Sequence, residues 1–167
     1  MKRRMFVASF ALAVLTVVGL AGSAAAGEQV HFQGKLEGND ELVVPPPLAV
    51  VHGVGGGQAT QLGRFTYDFQ ATVDFRFTPP NPPRGVGTLT LTAANGDTLI
   101  AGVIGSSMPI IPGVLVLVTE QAIVVDGTGR FAGASGEFTI TRLVYQDTRL
   151  TIGSFEGTIS SPGVNNP

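Results

Sequence analysis

The stretch Phe65 to Thr78, FTYDFQATVDFRFT, alternates between apolar and polar side chains without a miss. Phe65, Tyr67, Phe69, Ala71, Val73, Phe75 and Phe77 occupy the odd positions. Thr66, Asp68, Gln70, Thr72, Asp74, Arg76 and Thr78 occupy the even ones. Successive side chains of a strand point to opposite faces, so this pattern demands one buried face and one wet face. At about 3.3 Å per residue the run would exceed ~40 Å, so a bend or two successive strands is expected.

Other segments carry the same signature. In GVGTLTLTAANGDTLIAGVIG, Thr88, Thr90 and Thr92 alternate with Leu89, Leu91 and Ala93. Asn95-Gly96 then supplies the residue pair of a type I′ turn, and the chain returns through Leu99, Ala101 and Val103. Val114 to Val125, VLVLVTEQAIVV, is apolar on both faces at its start and too rich in valine for a good helix. Glu137 to Tyr145 and Leu150 to Ile159 alternate again. The apolar phase slips between Ile152 and Phe155, which predicts a bulge near Gly153. Gln29 to Glu37 is a weaker first strand. No long window holds an i, i+3, i+4 stripe free of glycine, so no helix is expected.

Seven or eight antiparallel strands result. Such sheets must protect their edges, and closure does so most completely. The expected fold is all-β, a single antiparallel eight-stranded β-barrel over residues 27–160, with a β-sandwich as the alternative. Residues 38–58, with Pro45-Pro46-Pro47 and Gly55-Gly56-Gly57, read as one long loop. Thr78 to Gly85, TPPNPPRG, reads as a stiff connection, and residues 161–167 as a flexible tail.

Residues 1–26 read as a signal peptide. Lys2, Arg3 and Arg4 precede an apolar run from Met5 to Leu20, and Ser23-Ala24-Ala25-Ala26 offers small residues for cleavage after Ala26. This implies export from a bacterial cell, to the periplasm or the medium. Cleavage would leave 141 residues, enough for one core without staples, and the 167-residue chain contains no cysteine. Losing three of ten basic residues against twelve acidic ones takes the formal charge to −5. No basic cluster remains, which argues against nucleic acid as a partner and against a membrane surface after cleavage. With no tryptophan and only Tyr67 and Tyr145, the chain lacks the aromatic girdles of an outer-membrane barrel.

Asp126 to Ile140, DGTGRFAGASGEFTI, places glycines at 127, 129, 133 and 136. A phosphate loop would need a lysine, and none occurs here. A dinucleotide fingerprint would open a helix, whereas a strand pattern follows. The residues fit a corner instead: glycines permit reversal and close backbone approach, and Phe131 offers one large core anchor.

The same stretch resembles the G-[ST]-G-x-F-x-x-[AV]-x-G signature of allene oxide cyclases and dirigent proteins, carried here by Gly127, Thr128, Gly129, Phe131, Ala134 and Gly136. Asp126 stands where those proteins commonly have another glycine. The pattern extends more loosely over Thr60 to Ser160, with QLGRFT near its start and FEGTIS at its end. The resemblance implies an eight-stranded antiparallel barrel. It carries the fold and not the chemistry, since no catalytic residue of either group matches a position here.

Candidate sites are sparse. His31 and His52 lack metal-ligand spacing, so no metal and no cofactor is expected. Asp68 and Asp74, on one wet face about 20 Å apart, are no acid–base pair. Ser106 and Ser107 lack a nucleophile-elbow context. Glu120, Arg142 and Glu156 are charges within apolar strands, and solvent-facing placement is the ordinary outcome. One that pointed inward would need a partner, and a buried Glu–Arg pair could polarise a ligand. Phe65, Tyr67, Phe69, Phe75 and Phe77 either fill the barrel or line a cavity, since eight strands leave room for packed side chains or one small ligand. Three readings follow: a barrel that binds a small apolar ligand, an isomerase or cyclase acting on one, and a structural protein whose outer face forms a homo-oligomer.

Overall fold

The structure, a computed structural model, describes residues 28–77, 81–160, 162 and 163; the expected signal peptide and most of the tail lie outside them. Eight strands follow in chain order: β1 (Gln29–Val44), β2 (Leu48–Ala59), β3 (Gly63–Asp74), β4 (Arg84–Ala93), β5 (Thr98–Ile111), β6 (Leu115–Gly127), β7 (Gly136–Tyr145) and β8 (Leu150–Ser160). Each pairs antiparallel with its sequence neighbour, and β1 pairs with β8 to close the barrel. Closure leaves no free edge, as the alternating segments required.

The segment read as a long loop is mostly strand. β1 continues to Val44, residues 45–47 turn, and β2 begins at Leu48. The glycines concealed this because they are the strand's inward face. Phe65, Tyr67 and Phe69 of β3 stand directly opposite Gly57, Gly55 and Gly53 of β2. Each missing side chain leaves space for a ring. A Cβ on Gly55 would lie 2.7 Å from Tyr67 Cε1, and one on Gly38 of β1 would strike the tyrosine hydroxyl. Glycine here is a packing partner for the aromatic row rather than a breaker.

Three further expectations are corrected. β3 ends at Asp74, so the long alternation is one strand whose last two phenylalanines fall beyond it. The chain after Asp74 is pinned there by Arg76, whose main-chain N–H and guanidinium both bond the Asp74 carboxylate. At the β4–β5 hairpin only Gly96 has positive φ, and its N–H donates to Ala93 O at 2.9 Å. That is a type I turn followed by a left-handed glycine, favoured by the Asn95 side chain accepting from Asp97 N–H. There is no bulge at Gly153. β8 pairs in continuous register with β1 from Leu150 to Ser160 and with β7 from Thr151 to Ile159. Thr151 takes the buried position and Ile152 a partly covered one on the other face, which accounts for the apparent slip.

One half of the barrel is filled. Phe32, Phe138 and Phe155 pack with centroids 5.0 to 5.5 Å apart, and Phe65 meets Phe155 at 6.0 Å. The glycine-rich segment closes that end as the corner its residues predict. Gly129–Phe131 forms one 3-10 turn, Phe131 is fully buried, and Gly129 and Gly136 have positive φ. Thr128 Oγ1 accepts from Thr98 N–H at 3.0 Å, and Arg130 donates to Leu62 O at 3.2 Å. The corner thereby joins the other two turns at its end of the barrel.

Candidate functional site: a cavity with a buried charge cluster

The other half is hollow. A cavity of about 650 Å³ opens at the end formed by the turns after β1, β3, β5 and β7. Its walls are apolar, among them Phe69, Val73, Val103, Val116, Val118 and Val144. The volume falls within the range of roughly 300–1,000 Å³ common among small-molecule pockets in general. A broader depression of about 970 Å³ runs along the outer face past Lys35, Leu143 and Ile152, but it gathers no comparable polar cluster.

Asp40, Glu120 and Arg142 border the cavity. Their side chains are 8%, 6% and 8% exposed. Each points inward by strand alternation, and each lies opposite a glycine on an adjoining strand. Asp40 faces Gly53, Glu120 faces Gly105, and Arg142 faces Gly153. A Cβ on Gly105 would approach Glu120 Cγ to 2.5 Å, and one on Gly153 would approach Arg142 Cβ to 2.6 Å. The glycines let three long polar side chains fold across the barrel.

Arg142 holds the cluster together. Its Nε and Nη2 donate to the two Glu120 oxygens at 3.0 Å each, in the bidentate fork suited to a carboxylate. Its Nη1 donates to Asp40 Oδ2 and, at 3.5 Å, to Thr151 Oγ1. The guanidinium also stacks over Phe69, 4.7 Å from the ring centroid. Asp40 Oδ1 and the hydroxyl of Tyr67 are buried without hydrogen-bond partners.

Burial is the main influence on these groups. It pushes the Asp40 carboxyl above its ordinary value, outweighing the attraction of Arg142. Tyr67 is pushed up to about 12, by burial first and then by the negative charge of Asp40. Burial works against the Arg142 cation, but Glu120 and Asp40 more than offset it, and the guanidinium is raised further.

Of the residues singled out in the sequence, Glu120 and Arg142 come together inside the barrel, and Glu156 lies exposed on the outside. The inward placement of Glu120 and Arg142 corrects the expectation that they face solvent. Phe69 lines the cavity and Phe75, 39% exposed, stands at its mouth. Phe65 belongs to the packed half and Tyr67 lies over the glycines between β1 and β2. Phe77, 42% exposed, lies outside, with Arg84 over its ring. His52 pairs with Asp68 at 3.1 Å on the outer face. Among the described residues no group of three or more His, Cys, Asp or Glu could hold a metal ion.

Asp40 was missed because it falls within residues 38–58. Its signal was present: Phe32, Gly34, Leu36, Gly38 and Asp40 share one face of β1, with glycines diluting the alternation.

This is a closed eight-stranded antiparallel barrel, packed at one end and hollow at the other, and its fold is similar to that of a dirigent protein. Among solved structures, a pterocarpan synthase dirigent protein superposes with a TM-score of 0.55 at 15% identity, covering 92% of this chain and 98% of that one. That likeness concerns the fold. No protein-family model and no curated protein sequence matches the chain.

Proposed function

We propose that this is an exported barrel that binds a small, largely apolar ligand in the open half of its interior. The observation that carries the reading is the apolar cavity of about 650 Å³ with Asp40, Glu120 and Arg142 at its border. Apolar walls supply affinity by burying ligand surface, and a few fixed polar groups orient it. Export follows from the first 26 residues, with the periplasm or the medium as destination. Titration with a neutral apolar fluorophore, N-phenyl-1-naphthylamine, tests the reading. Saturable 1:1 enhancement is expected, and Val103→Phe, which places a ring in the cavity, should abolish it while the circular dichroism of the barrel is retained. Unchanged binding in Val103→Phe would place the dye elsewhere and remove the case.

A second reading, an isomerase or cyclase acting on such a ligand, is supported by the inward Glu120–Arg142 pair. A desolvated ion pair beside a bound molecule can stabilise charge as it develops during a reaction. A third, self-assembly, is supported by Val86, Ile104, Ile123 and Val125, all exposed on the outer face of β4 to β6. Light scattering at high concentration distinguishes it, since a strictly monomeric mass leaves that face without a partner copy.

A further inference from the structure

We propose that the cavity selects a ligand with a cationic headgroup, an alkyl- or arylammonium, over one with a carboxylate; this rests on the binding reading above. The interior cluster contains two carboxylates and one guanidinium, an excess of one negative charge. The charges at the mouth do not alter that balance, because Arg149 pairs there with Glu41 at 3.1 Å.

Arg142, the one buried cation among the described residues, is already committed. Arg142 gives three donors to carboxylates, a fourth contact to Thr151 and its face to Phe69. A ligand carboxylate would find no free cation, and would add a like charge where water is largely excluded. An ammonium brings both the missing charge and the missing donor. Asp40, with its side chain 8% exposed, borders the cavity and retains one oxygen without a partner. The valine-lined wall beside the cluster accommodates an alkyl or aryl body of either headgroup, so the charge decides between them.

Calorimetric titration of the purified protein at neutral pH with decylammonium, decanol and decanoate, each below its micellar concentration, separates the possibilities. Decylammonium is expected to bind at least about tenfold more tightly than decanoate, with decanol between them. Asp40→Asn, which removes the excess charge at constant shape, should reduce that advantage to less than about threefold, read as the ratio of the decylammonium and decanoate affinities of the variant itself. Retained decanol binding shows that the variant's cavity is folded; if it is lost, Glu120→Gln provides the same test from the other carboxylate. Equal binding of the three probes, tighter binding of decanoate, or an ammonium preference that survives neutralisation overturns the selection. Binding of decanol without headgroup preference leaves the cavity reading standing, whereas no binding of any probe overturns both.

Discussion

Asp40, Glu120 and Arg142 are charged side chains that the fold takes almost wholly out of water. Removing charges from water costs several kcal/mol per ion unless geometry and hydrogen bonds offset it. The Arg142 fork does so for Glu120 and in part for Asp40. Arg142→Ala would leave two buried carboxylates facing one another without a cation. A loss of about 3–5 kcal/mol in urea unfolding is expected, and a loss below about 1 kcal/mol would mean that the cluster is well solvated. The Asp40 carboxyl binds its proton more tightly in the fold than in the unfolded chain. Folding therefore takes up a proton between the usual Asp value and the raised one, and stability falls as pH rises through that window. Asp40→Asn cannot show this fall. The unfolding free energy of the wild type relative to Asp40→Asn should decline as pH rises above about 4, and parallel curves would contradict the assignment.

At the scale of the strand, aromatic rows and glycine rows are complementary. β3 contributes Phe65, Tyr67 and Phe69, and β2 contributes Gly57, Gly55 and Gly53 directly across from them. Gly55→Ala would place a methyl 2.7 Å from Tyr67 Cε1 and against the β1 backbone at Glu37 and Gly38. Overpacking of this kind costs about 1–3 kcal/mol, read as a drop in the urea midpoint, and a neutral result would show that β1 and β2 yield easily. The same complementarity explains what was legible in advance. β3 was plain because its inward side chains are large, and period two shows directly in them. The corner within Asp126 to Ile140 was plain because its four glycines, with Thr128 and Phe131 among them, leave few other conformations. β2 was hidden because its inward face is mostly glycine and alanine, so the alternation has almost no hydropathy contrast. Asp40 was hidden with it. The inward orientation of Glu120 and Arg142 depended on their finding one another across two strands, a tertiary relation that neither strand's own pattern contains.

At the scale of the whole molecule, the barrel divides along its axis. Phenylalanines and the glycine corner fill one end, the ion cluster lies between, and valines surround the hollow at the other. This division is the central claim, because the proposed binding and its charge selection both need the hollow half. Methyl-resolved NMR during titration with decanol tests it most directly. Val103, Val116, Val118 and Val144, which line the cavity, should shift in a saturable manner, while Leu91, Leu99, Val124 and Ile159 in the core outside its lining should stay in place. Saturable shifts confined to the first set are the predicted result; shifts spread equally over both sets, or none in either, would contradict it.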